Sequence, residues 1–576
     1  VSVPLLPPAL LLIAGAVLVA LVPRALRATL TVLLPLLTLG YAAAFLPAGT
    51  VVDYAFLGTE LQVVRSDGLS LLFVGILCIV GALAALYAAP EDDVKQQVTG
   101  QLYLAGAVGV ALAGDWVTLY AFWELLAIAG TVIVWSGGTR AAERAGKRYV
   151  LLHLCGGAVL LAGIVLQVTD AGTLRLAAFD PSAPTLAAWL ILIGFCLNAG
   201  VPPLHAWIPD AYPKATIWGS VFLAAMTTKT AVYALLRVFP GFEILIPLGL
   251  VMALYGVVFA VLATDLRTLL AYHIVSQVGY MVVGGGIGSP LAIDGAAAHA
   301  VNNLLYKGLL FMCAGAVIAS TGRGNLADLG GLRTRQPLLL ALYVVGALSI
   351  CGIPGWNGFY SKGMLLVAAS DAHHEWAVLL MLLASIGTFV SVGLKLPWFV
   401  WFGEERVKNV SPVPLPMTAA MAAGAVLCTL IGVFPALLGR FLPNGTTYDP
   451  YTATHVIEVV QVSLFAGFAF FLLLPNVSTA RKTLADVDVV YRKAAPFARW
   501  LFVGRVDALY DAVQALGDRL ARGASEALRD PTAWFGERRG SGPDFDPDAS
   551  RPPLLTPLAL TIATFVGIAV VLLSWR

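Results

Sequence analysis

The chain has 576 residues, of which 59% are hydrophobic and only 12% charged, with a formal net charge of +2. A mean hydropathy of +0.86 describes a polypeptide that water cannot keep dissolved, which excludes a soluble enzyme and points to a polytopic membrane protein. No nucleic-acid partner is expected.

At roughly 17 to 25 residues per crossing, the chain reads as all-α with about sixteen transmembrane helices. The first, 4–23, has no basic residue ahead of it and Arg24 and Arg27 behind it, which suits a retained helix better than a cleaved signal peptide. Spans 27–47, 69–89, 101–114, 116–136 and 149–168 follow. The seventh, 187–201, runs into "NAGVPPLHAWIPDAYPKA", where Pro202, Pro203 and Pro209 cannot continue a helix. Next come 217–239, 242–263, 270–288 and 296–320, then a twelfth span, 336–370, cut by "CGIPGWNGFYSK" around Pro354. Such breaks are tolerated where protein or a water-filled cavity covers the freed backbone groups. Spans 376–402, 416–440 and 456–475 complete the apolar body.

The segment 477–553 is too polar to span. Val506, Leu509, Val513, Leu516 and Leu520 recur at three- and four-residue spacing, with Asp507, Asp511, Asp518, Arg519 and Arg522 elsewhere around the helix. That pattern predicts an amphipathic helix lying along a surface, the bland alternative being a solvated linker. A last span, 554–574, anchors the tail.

Loop charges orient the chain. "GGTRAAERAGKR" (Arg140, Arg144, Lys147, Arg148) and "RGNLADLGGLRTR" (Arg323, Arg333, Arg335) are the strongest basic loops and belong in the cytoplasm. Counting crossings from them places Arg24 and Arg27 inside and the amino terminus outside, in the cell inner (plasma) membrane. Cys78, Cys155, Cys196, Cys313, Cys351 and Cys428 lie within apolar spans and make no ligand spacing. No phosphate loop, haem or iron–sulfur pattern or nucleophile elbow is found. No cofactor, no metal and no redox or hydrolytic site is therefore expected.

The ionisable residues inside the spans are the informative ones, because each costs about 2.5–3.5 kcal/mol at the centre of a membrane helix and needs a partner, water or a task. Glu124 in "LYAFWELLAIAG" lies well inside its span, Lys229 and Lys307 are central, Lys362 lies just past the second break, and Lys395 is nearer a membrane end. His299, Asn303 and Lys307 are four residues apart and share one helix face. Alternatives stand beside function: a static buried ion pair for Glu124, Lys229 and Lys307, snorkelling for Lys395, and an interfacial histidine for His299. Several buried lysines with one glutamate can act as a proton relay. At an effective dielectric of about 20, a unit charge about 7 Å away shifts the energy by roughly 2 kcal/mol, so charging one site can discharge the next.

"FWELLAIAG", "PPLHAWIPDAYPKAT", "TDLRTLLAYHIVSQVGYM", "HAVNNLLYKGLLFMCAGAV" and "GIPGWNGFYSKGMLL", in that order, resemble the antiporter-like subunits shared by respiratory complex I and the Mrp-type cation/proton antiporters. "MTTKTAVYALLR" looks more like the D-type Mrp subunit, whereas the tail is similar to the lateral helix and terminal anchor of the largest antiporter-like subunit of complex I. The resemblance implies two inverted five-helix repeats, each with a broken helix. The chain then divides into N-terminal helices (1–100), a first repeat (101–240), a second repeat (241–402), C-terminal core helices (403–476), the cytoplasmic-side lateral segment (477–553) and the anchor (554–576).

The resemblance also implies that Glu124, Lys229, Lys307 and Lys362 carry the relay, with His299 and Lys395 as further candidates. One position departs from it: the family's lysine in the first broken helix, seven residues ahead of the histidine of "PPLHAW", falls on Asn198, which cannot carry a proton charge. Lys229 is then the residue placed to take over. The implied function is proton translocation in a multi-subunit Mrp-like antiporter exchanging sodium or another monovalent cation for protons, with other membrane subunits and the lipid bilayer as partners. The alternatives are a pumping subunit of a redox-driven complex (complex I-like or a membrane-bound hydrogenase), a membrane subunit for inorganic carbon uptake, and a scaffold that moves no ions.

Overall fold

A computed structural model describes residues 5–56, 58–474 and 486–529, which divide into two compact units, Val1–Asp488 and Val489–Arg576. The first unit opens with α1 (Pro8–Leu21) and α2 (Arg24–Phe45). A hairpin follows, with β1 (Val51–Phe56) antiparallel to β2 (Thr59–Arg65) and Phe56 opposite Thr59. Hydropathy alone reads this stretch as a loop between spans. Then come α3 (Gly68–Ala88), α4 (Val94–Leu112), α5 (Trp116–Trp135) and α6 (Arg140–Ala171). Asp67, Asp93, Asp115 and Thr139 cap these four, each side chain accepting a backbone N–H that the first turn leaves free. The caps correct two predicted spans: the fourth begins at Val94, and the sixth at Arg140, so the basic stretch read as a loop is the first turns of α6.

The first predicted break is present. α7 (Leu186–Ala199) stops at Gly200, whose φ of 79° lies in the left-handed region that favours glycine, and α8 (Trp207–Ala211) resumes beyond the prolines. α9 (Gly219–Ala225) and α10 (Thr227–Val238) meet at a kink at Met226, which divides the predicted eighth span. α11 (Leu245–Leu262), α12 (Leu266–Ile287) and α13 (Pro290–Thr321) form the interior. α14 (Pro337–Cys351) ends on Gly352 at φ 75°, and α15 (Asn357–Asp371) starts after the second break. α16 (Glu375–Thr388) widens into π-turns over Phe389–Lys395 and Trp398–Phe402. α17 (Leu415–Val433), α18 (Ala436–Gly439) and α19 (Ala453–Leu473) complete this unit. α20 (Asp488–Ala498) and α21 (Arg505–Arg529) belong to the tail, and on α21 Val506, Leu509, Val513, Leu516 and Leu520 are all exposed.

Among the described residues, eleven helices are long and apolar enough to cross a membrane, and α1, α7 and α14 are apolar but shorter. The predicted sixteenth span, 554–574, lies outside the described residues.

Glycine sets how closely the interior packs. A Cβ on Gly249 or Gly256 of α11 would overlap the backbone of α12, and one on Gly279 of α12 would overlap that of α11. The two helices therefore meet backbone to backbone, as lipid-embedded helices do when small residues line their contact. The two halves also repeat one junction. Asp115 caps α5 while Trp116 N–H bonds Leu174 O at 2.9 Å and Leu176 N–H bonds Gly114 O at 2.8 Å. Asp265 caps α12 while Leu266 N–H bonds Gly324 O and Leu326 N–H bonds Thr264 O, both at 2.8 Å. At the other end of α13, the buried Asp294 accepts from Asn444 N, Asn444 Nδ2, Thr446 N and Thr446 Oγ1 at 2.7–3.0 Å, fastening the loop after α18.

Candidate functional site

α13 begins at Pro290, earlier than the predicted span, so His299 lies inside the helix and is fully buried, not interfacial. Its Nδ1 is 3.0 Å from Ser361 Oγ on α15, and its Nε2 is 3.4 Å from Tyr306 Oη. Asn303 Nδ2 donates to Tyr306 Oη at 3.0 Å, and Tyr306 Oη lies 3.3 Å from Gln277 Oε1 on α12. One turn along α12, His273 Nε2 meets Ser391 Oγ at 2.7 Å. A hydrogen-bonded set of polar side chains, Ser361, His299, Tyr306, Asn303 and Gln277, thus crosses from α15 through α13 to α12.

The lysines border this set. Lys307 Nζ donates to Leu270 O at 3.0 Å. Lys229 Nζ donates to Ala224 O at 2.9 Å and Thr228 Oγ1 at 3.2 Å, at the kink between α9 and α10. Lys362 Nζ reaches Ser385 Oγ at 3.3 Å and stands 5.2 Å from the Tyr280 ring centre, a cation–π arrangement. Beside it a cavity opens between α15, α16 and α19, lined also by His455 and Glu458. Lys395, 2% exposed, donates to Val261 O and Ala263 O at 2.6 and 2.8 Å, so it closes the C-terminal end of α11 and does not snorkel. Lys307 lies in the electrostatic field of Lys229 and Lys362, and His273 in that of Lys307, Lys362 and Lys395.

Among the described residues no ion pair involves Glu124 or any of these four lysines. Among the described residues, then, none of them is accommodated by a static buried ion pair. Each lysine is held by neutral carbonyl or hydroxyl oxygens. Glu124 projects from α5 against Gly157 of α6 with Tyr120 beside it, and its Oε1 is buried without a hydrogen-bond partner. Asn198, in the last turn of α7, is 2% exposed, and its Nδ2 has no partner either.

Sequence reasoning missed His273, Gln277 and Tyr280. They lie at i, i+4 and i+7 on α12, on one face of the helix as His299, Asn303 and Lys307 are at i, i+4 and i+8, so the same one-face test applied to "AYHIVSQVGYM" finds them. It also missed His205 in the first break, whose Nε2 is 3.3 Å from Asp486 Oδ1.

A bundle of membrane-crossing helices with two broken members and a line of buried, unpaired lysines is the architecture of an antiporter-like membrane subunit. The chain belongs to the NADH:quinone oxidoreductase/Mrp antiporter transmembrane family, which residues 113–388 match, from the cap of α5 to the end of α16. It is 32% identical over 353 residues to the D subunit of the Na(+)/H(+) antiporter of Alkalihalophilus pseudofirmus, across 58% of this chain and 71% of that protein. Among solved structures it is similar to a chain of the Mrp complex from Dietzia sp., with TM-score 0.68 and 24% identity over 79% of this chain and 98% of that one. It is also similar to a chain of the membrane-bound sulfane sulfur reductase, an archaeal respiratory membrane complex, with TM-score 0.70 and 25% identity over 98% and 99%.

Proposed function

We propose that the chain is the proton-translocating subunit of a multi-subunit Mrp-like antiporter that exchanges sodium or another monovalent cation for protons. Glu124, Lys229, Lys307 and Lys362 carry the protons, and His299, His273, Gln277 and Tyr306 bridge between them. The observation that carries the reading is the absence of any carboxylate partner on four buried lysines among the described residues. A lysine bound only to carbonyls and hydroxyls exists charged or neutral according to its neighbours, because no fixed anion commits it to one form. Protonating Lys229 or Lys362 then drives a proton from Lys307, and the neutral groups of α12 and α13 pass it on. The paired junctions at Asp115 and Asp265, and the paired breaks at Gly200 and Gly352, support the two-repeat arrangement, with one pathway segment in each half.

Lys307→Ala and Glu124→Ala are expected to lower proton/cation exchange in inverted membrane vesicles at least tenfold while membrane abundance stays near the parental level. Parental exchange in both variants overturns the relay. A second reading, a pumping subunit of a redox-driven complex, is favoured by the likeness to the sulfane sulfur reductase chain over 98% of this one, tail included. Purifying the complex from its native membrane decides between them. Flavin and iron–sulfur absorption bands support the redox-driven reading, and their absence with sodium-dependent exchange supports the antiporter.

A further inference from the structure

The first break carries no lysine: Asn198 stands in the last turn of α7, seven residues before His205. Asp486, which precedes α20 by two residues, fills a pocket at this break. It is 9% exposed, with its Oδ1 3.3 Å from His205 Nε2. Tyr272 of α12 donates to its Oδ2 at 2.6 Å, and Tyr255 of α11 donates to its Oδ1. Tyr255 lies seven residues before the end of α11 and Tyr272 six residues after the start of α12, which puts the carboxylate roughly 10 Å from the turn joining them. That turn is hydrogen-bonded to the basic segment after α13, since Leu266 N–H bonds Gly324 O. Asp486 therefore sits on the side of the bundle where the basic segments lie. The His205 ring is fully buried and packs edge-on against Tyr255 at 4.6 Å; neither ring nitrogen completes a hydrogen bond, and Nε2 is the one that faces the Asp486 carboxylate.

We infer that His205 is the proton carrier of the first half, and that Asp486 is the fixed counter-charge, supplied by the tail, that lets this imidazole hold a proton. The inference rests on the proton-translocation reading above. An imidazole next to a carboxylate favours its protonated form. Here the proton arrives at Nε2, the nitrogen facing Asp486, and another leaves from Nδ1 on the opposite side of the ring, so that an Nε2–H bond forms, the Nδ1–H bond breaks and the ring changes tautomer. Asp486 is suited to be the anion of this pair: burial pushes its carboxyl up, but His205 and the hydroxyls of Tyr255 and Tyr272 outweigh burial and hold it at about 2 while His205 carries its proton. Among the described residues, the other charged group whose field reaches the two tyrosines is Asp488, also acidic. Because Asp486 belongs to the segment that leads into the amphipathic tail, displacing the tail would remove the counter-charge and shut the first half.

The test is the pH profile of exchange in inverted membrane vesicles carrying the full complex. In Asp486→Asn the imidazole loses its counter-charge, so the alkaline limb of the profile is expected to move to lower pH by about one unit. Asp486→Glu should move it back. An unchanged profile in Asp486→Asn, with Lys307→Ala inactive beside it, overturns this inference and leaves the proposed function standing. If Lys307→Ala is also fully active, both fall. A uniform loss at every pH with partner subunits released makes Asp486 a mechanical anchor and overturns the inference as well. Should Asp486→Asn fail to accumulate, His205→Gln is read in the same assay, and retention of the parental alkaline limb overturns it.

Discussion

The proposed relay requires the Glu124 carboxylate to change its charge, and the space beside its Oε1 is made by a missing side chain. A Cβ on Gly157 would overlap Glu124 Oε1, so Gly157→Ala is expected to push the carboxylate aside and lower exchange by the same order as Glu124→Ala, with the helices still inserted. Parental rates in Gly157→Ala would show that the position of the carboxylate is not critical. Asp67 does a different job. It caps α3 through Ser70 N–H and receives the Arg237 guanidinium of α10 on both oxygens at 2.6 and 2.7 Å. Burial pushes its carboxyl up, and Arg237 with the Ser70 N–H more than offsets this, so it lies below its ordinary value of 3.8. A lowered carboxyl stabilises the fold above the ordinary value and ceases to do so as the pH falls through the lowered one. Asp67→Ala should therefore reduce thermal stability in detergent at neutral pH by about 1 kcal/mol, a cap's worth with little added by a half-exposed pair. The difference from the parent should narrow as the pH falls below the ordinary carboxyl value of 3.8 and through the lowered one.

At the scale of helices, the breaks were legible in the sequence and the kinks were not. Pro202, Pro203 and Pro354 stop a helix by local chemistry alone, and Gly200 and Gly352 supply left-handed ends of the kind that glycine beside proline announces. The deep lysines were legible for a similar reason, since the cost of a charge in an apolar span does not depend on its neighbours. The kink at Met226, the π-turns beyond Thr388 and the β1–β2 hairpin depend on contacts between segments, and hydropathy averages over them. Asn198 tests how far a break can be edited. Its buried Nδ2 has no hydrogen-bond partner, so a longer side chain there breaks no bond made by that nitrogen. Asn198→Lys is expected to shift the pH optimum of exchange, because a new cation in this half would compete electrostatically with the proton proposed for His205. An unchanged optimum in a folded variant would place position 198 off the pathway.

Over the whole molecule, the tail poses the question of what its apolar stripe is for. Val506, Leu509, Val513, Leu516 and Leu520 are each more than half exposed, a cost that water alone would not repay. The mixed charges around them, Asp507 and Asp511 with Arg519 and Arg522, suit a protein or interfacial partner better than anionic lipid, which selects predominantly basic helices. At about 1.5 Å per residue, α21 is long enough to lie across a neighbouring subunit. A clamp on the partner subunits and a counter-charge for the first break are separable roles, because Asp486 precedes the stripe in sequence. A chain ended before Arg505 keeps Asp486 and should lose partner subunits during detergent purification while retaining its membrane helices. A chain ended before Ala480 should lose both the partners and the alkaline limb assigned to His205. Co-purification of every partner with both truncated chains, measured by mass spectrometry, would leave the tail without a clamping role, and the exposed stripe would then have to be covered by lipid.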